Sequence, residues 1–437
     1  GEAGLEAATS GVPPAVSGNA LVGNGRPATF SDHPLPSDFV STNVVGPNTL
    51  PVIRIRGAGG SGRPTDLVLE VGRSAPGVPE EEAYEVRTYE VSNDLRMGTG
   101  TTLRLGPGVV VKLEASSLSV SELRAEGTAS EPVVFTSWRD DAWGGDTNGD
   151  GGSSVASPGD WGVLSLSRPG SVLEHAVVRY GGNRALLTNR EVTVRDSEVS
   201  RSSGWGVGLS GSGTPQVFER TEVYGNGSGG YLVSQDASLT VTGGRVYGNV
   251  VDGFRFVDRA SGTLSGVELF GNGRSGLRSG SSGSVSARGV WWGAADGPSG
   301  TGAGSGDAVL VDGTGAVDAG DFLSVGTRYA FLDAGGPESR NYELPLPFTT
   351  GEPLQEAGSA PWQTVSTDPL GVLEIELAGL LEDRAHELLI TYFDATPSGQ
   401  RQRLETADGE RLHGPLEVSD EARVVHALIP PAWVQGG

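Results

Sequence analysis

A repeat of 23 residues governs what this chain can fold into. Asn226, Asn249 and Asn272 follow Tyr-Gly, Tyr-Gly and Phe-Gly, each 23 residues after the last. The same register aligns Gly230, Gly253 and Gly276, then Tyr231, Phe254 and Leu277, then Val241, Leu264 and Ala287, and finally Gly243, Gly266 and Gly289. One unit earlier Gly206, Val207 and Leu209 fit with a single inserted residue, and Asn19 and Asn24 recur as Asn43 and Asn48, 24 residues on. A unit this short, with three β-like bursts separated by Gly, Ser and Asn, cannot bury its own apolar residues and must stack on its neighbours. The expected fold is all-β: a parallel β-helix with one unit per coil, coils about 4.8 Å apart and equivalent side chains in columns. Val223, Val246 and Leu269 should point inward. The Asn residues should stack at a corner, where Asn and Gly tolerate left-handed backbone and amides can hydrogen-bond along the column.

The 70 glycines among 437 residues are scattered between apolar residues, which suits a fold of many tight turns. A net charge of −23 repels phosphate backbones and anionic lipid heads, so nucleic acid is excluded as a partner class, whereas calcium would be attracted. There is no cysteine, and Lys112 is the sole lysine. No apolar run approaches the roughly 18 residues of a membrane span. Gly-Glu-Ala-Gly-Leu at the start has no basic or apolar leader region, so the expectation is a removed signal peptide or an excised piece.

Two segments carry a family resemblance. Residues 101–113 (TTLRLGPGVVVKL) and 123–137 (LRAEGTASEPVVFTS) resemble the opening coils of bacterial secreted or surface right-handed parallel β-helix proteins, the pectate-lyase-like solenoid superfamily. Residues 290–298 (VWWGAADGP) resemble the segment that often closes such helices, with Gly289-Val290 in place of the usual Asn-Asn. The resemblance covers about residues 15–325 and implies a solenoid in an extracellular or cell-surface protein. It implies no activity, because that family holds lyases, hydrolases and adhesins, and fold alone does not license function.

The expected domains are an N-terminal segment 1–14, a β-helix 15–325 with an Asp-rich excursion at 139–160, and a C-terminal β-sandwich of jelly-roll flavour at 328–437. In that last part residues 373–377, 388–392 and 424–429 read as strands and Ser398-Gly399 and Asp408-Gly409 as turns, with no 23-residue period.

Three features compete for a functional role. Asp146, Asn148 and Asp150 alternate in a Gly-containing loop, an arrangement that wraps oxygens around a hard cation, with Asp140, Asp141 and Asp160 flanking it. An EF-hand would place its last acidic ligand at position 157, which is Ser157, so this is a different loop. Calcium is the expected cofactor; a solvated Asp/Asn turn is the plainer alternative. Glu222, Arg245 and Glu268 form a charge column, either an outer-face ladder or the Arg and acids of a polysaccharide lyase. Tyr224, Tyr247 and Phe270 form an aromatic column, either a platform for stacking sugar rings or a surface hidden beneath the excursion. Trp291 and Trp292 read as packing at the solenoid end. No catalytic residue is assigned: the five histidines lie in no hydrolase motif, Gly302–Gly306 lacks the lysine of a nucleotide loop, and no carboxylate pair stands out among 54 acidic residues.

The reading is an extracellular scaffold, adhesin or filament module, steadied by calcium. Its expected partners are glycans, other surface proteins or its own solenoid ends. The alternative is an extracellular polysaccharide lyase or glycoside hydrolase working in a groove on the solenoid face.

Overall fold

A computed structural model describes residues 3–7, 16–31, 35–36, 38–57, 66–73 and 85–324, and beyond them only the backbone of the strands named below. By its internal contacts the chain divides into residues 1–326 and 327–437.

The first unit is a parallel β-solenoid. Each coil contributes one short strand to each of three long sheets, here called A, B and C in the order the chain visits them. Among the described residues sheet A has eleven strands, from Ala3–Ala7 to Glu268–Phe270, and sheets B and C have ten each. The solenoid thus begins inside the segment expected to precede it, because Ala3–Ala7 pairs in parallel with Arg26–Ser31.

The inward positions stack as the period requires. Ile53, Tyr89, Val111, Phe135, Val178, Val199, Val223, Val246 and Leu269 form one column on sheet A, every member at most 1% exposed. On sheet B, Leu164, Leu186, Val207, Tyr231, Phe254, Leu277 and Val309 do the same, with the Tyr231 and Phe254 rings stacked 4.7 Å apart. A single coil presents one side chain per column, so nearly all apolar burial is between coils.

Between sheets A and B the chain turns through an Asn ladder. Asn226 Nδ2 donates to Asn249 Oδ1 and Asn249 Nδ2 to Asn272 Oδ1, both at 2.9 Å, and Asn272 Nδ2 then donates to Asp307 Oδ2 at 2.8 Å. The Nδ2 groups of the three also reach backbone carbonyls, Asn249 to Val223 O at 3.2 Å and Asn272 to Val246 O at 3.0 Å. The N-terminal echo behaves alike: Asn19 Nδ2 donates to Asn43 Oδ1 at 2.9 Å. Just before the ladder, Gly225, Gly248 and Gly271 hold φ of 63°, 60° and 64°, a region where a Cβ is strained. Tyr180 and Arg201 occupy the equivalent corner in earlier coils at φ 63° and 53°.

The second unit shows antiparallel pairs: His386–Tyr392 with Arg423–Ile429, and Arg401–Glu405 with Arg411–Glu417; the turns expected at Ser398-Gly399 and Asp408-Gly409 lie outside the described residues. Phe348–Thr350 pairs with Ile375–Leu377 in the same sense. The packing of these pairs into a sandwich lies outside the described residues.

Candidate functional site

One outward column of sheet A lies beside the inward column. It runs through Arg54, Glu90, Lys112 and Thr136, then through Arg179, Ser200, Tyr224, Tyr247 and Phe270. The excursion leaves sheet A after Ser137 and covers the first part of this column. A Cβ on Gly149 would meet Leu50 at 3.5 Å, and one on Gly144 would collide with Thr88 Oγ1. At its far end Gly159 N donates to Tyr180 O at 3.1 Å. These contacts run toward the earlier coils and not to the aromatic stretch that the excursion was a candidate to hide.

Under the excursion lies Lys112, fully buried, its Nζ donating to Gly145 O at 2.6 Å. Burial pushes the ammonium below the usual lysine range, opposed by the charges of Asp140, Asp141, Asp146 and Glu90. Glu90 is buried as well and is bridged by Arg26 at 3.0 Å and Arg54 at 2.7 Å. A buried charge is tolerated only when others answer it, and here the answer comes from two coils and the loop at once. The one basic residue of the excursion is Arg139 at its start, which pairs with Asp160, and none lies further along it to balance the other acids. The balancing cation is Lys112, supplied from the sheet beneath, and nothing in the local sequence signals that contact.

The expected calcium ligands divide into two groups. Asp141, Asp146 and Asp150 each bring a carboxylate oxygen within 4.8 Å of the others. Asp146 Oδ1 accepts Gly149 N at 2.7 Å and its Oδ2 accepts Gly151 N at 2.8 Å, an arrangement that fixes the loop. Burial raises the Asp141 carboxyl above the usual range, Lys112 pulls it back, and Asp146 and Asp150 push it up again. The other three residues face elsewhere. Asp140 is fully buried, accepts a hydrogen bond from Thr136 Oγ1, and pairs with Arg179 Nε at 3.5 Å. Asp160 accepts from Ser137 Oγ at 2.6 Å and pairs with Arg139 at 3.0 Å. Asn148 turns its Nδ2 onto Asp150 Oδ2 at 3.0 Å and Ser154 Oγ at 3.1 Å. The solenoid surface and the loop's own turns claim these side chains first.

Beyond the excursion the column is aromatic. Tyr224 and Tyr247 stack with centroids 4.8 Å apart and planes 8° apart, and Tyr247 and Phe270 at 5.0 Å and 2°. The faces a sugar ring would use are therefore largely given to neighbouring rings, and the edges point outward. Tyr224 OH donates to Glu198 Oε1 at 2.9 Å. Burial holds both tyrosine hydroxyls well above their usual pKa, Glu198 and Glu222 adding to the effect, so at neutral pH they are donors and not bases. In the charge column beside them Glu222 pairs with Arg245, which is itself buried, and Arg245 stands in register with Glu268. Trp292 is fully buried at the end of the regular coils, and Trp291 lies 5.5 Å from Phe270.

A further pair of cations sits between the two parts. Arg179 Nη2 and Arg201 Nη1 both donate to the Tyr180 hydroxyl, at 2.6 and 2.9 Å, and Arg179 lies 4.6 Å over the Tyr180 ring. Burial works against the Arg179 charge, and Asp140, Tyr180 and Glu198 more than restore it.

Residues 163–290 match the family described as the right handed beta helix region. No curated protein matches the chain. Among solved structures it is similar to the A-module of the mannuronan C-5 epimerase AlgE4 of Azotobacter vinelandii, at 15% identity over 55% of this chain and 68% of that one, with a TM-score of 0.26. Across its most regular coils, then, the sequence matches the right-handed β-helix family, and the parallel three-sheet ladder is the architecture which that match describes.

Proposed function

We propose that this chain is an extracellular structural or adhesive module, a scaffold presenting a calcium-ordered loop on one face of a solenoid. The observation that carries the reading is how the polar groups of sheet A are used. Glu90 is answered by Arg26 and Arg54, Asp140 by Arg179, Lys112 by the excursion and Glu222 by Arg245, an arrangement that builds a face and does not leave acid and base groups converging on a cleft. Calcium is supported by the three carboxylates of Asp141, Asp146 and Asp150, whose repulsion a hard cation would relieve. Asp141 is the residue that would take it directly, with Asp146 and Asp150 sharing their oxygens with N–H and O–H groups of the loop. Glycans, other surface proteins or a second solenoid end are the partner classes such a module would meet.

The alternative is an extracellular polysaccharide lyase or glycoside hydrolase. Its support is the Arg179–Arg201 pair, two guanidinium groups on one hydroxyl that an acidic sugar could engage.

One pair of measurements separates the two. Calcium should raise the melting temperature, chelation should lower it, and Asp150→Asn should blunt the response. Incubation with acidic and neutral polysaccharides should release no new ends. A melting curve indifferent to calcium removes the calcium part of the reading. Unsaturated or reducing ends that disappear in Arg201→Gln or Arg245→Gln would replace the scaffold with the enzyme.

A further inference from the structure

The corner between sheets C and A holds a second set of ligating atoms, which the sequence motifs did not reveal. His175 and Asp196 are successive rungs of that corner. His175 N donates to Arg195 O at 3.1 Å and Asp196 N to Glu219 O at 3.0 Å, and both residues sit in left-handed backbone at φ 46°. Arg220, Gly243, Gly266 and Gly289 continue the column at φ 48°, 65°, 64° and 66°. With the same backbone one coil apart, side chains at 175 and 196 leave the corner side by side, about 4.8 Å from each other. Glu174, the last residue of its sheet C strand, adds a carboxylate beside them. One ring nitrogen of His175 and one oxygen each from Glu174 and Asp196 all lie within 4.8 Å of one another, at half-buried positions that solvent ions can reach.

We propose that Glu174, His175 and Asp196 bind a divalent cation of the zinc class. The donor set decides the class. Calcium takes oxygen ligands, whereas one imidazole nitrogen with two carboxylates suits borderline metals such as zinc. Availability points the same way. Asp196 is held in place by Arg220, Nε to Oδ1 at 2.6 Å and Nη2 to Oδ2 at 2.7 Å. A carboxylate has about four lone-pair positions, so this anchor leaves room for a metal and fixes its direction. The Glu174 carboxylate and the His175 ring have no hydrogen-bond partner among the described residues. Arg195, in register with Glu174 one coil on, pairs with Glu219 at 2.9 Å. The competing use of the same atoms is a protonated imidazole between two carboxylates, with no metal. Metal ligation needs the neutral ring, so acid favours that competitor and must weaken metal binding.

The test is zinc titration of the full chain by calorimetry, native against His175→Asn. Asparagine is chosen because it accepts left-handed backbone, so the corner is kept while the imidazole is lost. An unchanged zinc-free melting curve confirms that this variant folds. The native protein should show a saturable zinc equivalent that excess calcium does not displace and that weakens in acid. In His175→Asn that equivalent should disappear or lose at least tenfold in affinity, and Glu174→Gln should weaken it. Asp141→Asn, in the excursion, should leave it unchanged, which keeps this site separate from the calcium reading. The histidines of the second unit can add equivalents of their own, and His175→Asn should not affect those. Absence of saturable zinc binding, or the same number of equivalents at the same affinity in His175→Asn, overturns the proposal.

Discussion

The outward column of sheet A is one column with two chemistries. From Arg54 to Arg179 it is charged and lies under the excursion; from Tyr224 to Phe270 it is aromatic and stacks on itself. The backbone register is the same in both halves, so the difference comes from what the period permits. Where coils repeat at 23 residues, a side chain meets a near copy of itself one rung away. Flat rings and amides satisfy themselves in that situation; like charges do not. Glu198 and Glu222 are neighbours in register, and Ser200 Oγ and the Tyr224 hydroxyl both donate to Glu198. In the charged half the spacing is irregular and the chain leaves the sheet, so Glu90, Lys112 and Asp140 find partners that no repeat supplies. Repetition builds the rod, and its interruption creates the place where chemistry can collect.

The largest effect is expected where that interruption is deepest. Lys112→Met keeps the buried stem and removes the charge, leaving Asp141 and Asp146 without the cation beneath them and Asp140 with Arg179 alone, at a cost of about 3–5 kcal/mol. Urea unfolding should show this loss, calcium should return part of it, and protease should then cut within residues 139–160. If the variant is as stable as the native protein with or without calcium, the two halves do not differ as described.

Leu269→Ala probes the column behind the aromatic half and should cost about 2–4 kcal/mol through loss of inter-coil packing. Unlike the Lys112 change, this loss should be insensitive to calcium and nearly insensitive to salt. A strong calcium dependence here would mean that the excursion supports the whole solenoid and not only the coils beneath it.

Asn249→Ala removes a rung of the ladder. Asn226 loses the acceptor of its Nδ2, and Asn272 Oδ1 loses a donor, in a fully buried corner. The expected cost is about 1–3 kcal/mol by denaturant unfolding.

The smallest effect is of opposite sign. Asp307 ends the ladder with a carboxylate that burial raises above its usual pKa, while N–H donors from Asn272 and Gly271 pull it down. A carboxyl whose folded pKa is raised stabilises fully in acid and loses that contribution as pH rises through the folded value. Asp307→Asn, which simply continues the amide ladder, should therefore gain about 0.5–1 kcal/mol at pH 7. The gain should vanish below about pH 4. A loss at neutral pH would show that the ladder needs a charged terminus.

The columns through Asn226, Val223 and Tyr231 were legible because one spacing holds for three consecutive coils, and no other fold explains aligned amides, glycines and apolar residues together. The loop's acids were legible as a cluster, but their division was not. Asp140 and Asp160 turn to Thr136, Arg179, Ser137 and Arg139, contacts set by where sheet A lies beneath them. Lys112 stood out only as the sole lysine, since its partners in the excursion are some thirty residues further along the chain. His175 and Asp196 are 21 residues apart, not 23, so a search in the dominant register passes over a pair that the corner geometry places side by side.

The ladder and the charge column set different rules for how such a rod can lengthen. Every Asn rung donates toward the C-terminal side and accepts from the N-terminal side, so a duplicated coil can be inserted anywhere between Asn226 and Asn272 without reversing a single amide. The inward and aromatic columns accept the same insertion. The column Glu222, Arg245, Glu268 does not: a second copy of residues 245–267 alone would set one arginine beside another at coil spacing. Copying residues 222–267 restores the alternation of sign. Growth in this stretch is therefore easiest two coils at a time, with the outer charges, and not the core, counting the steps.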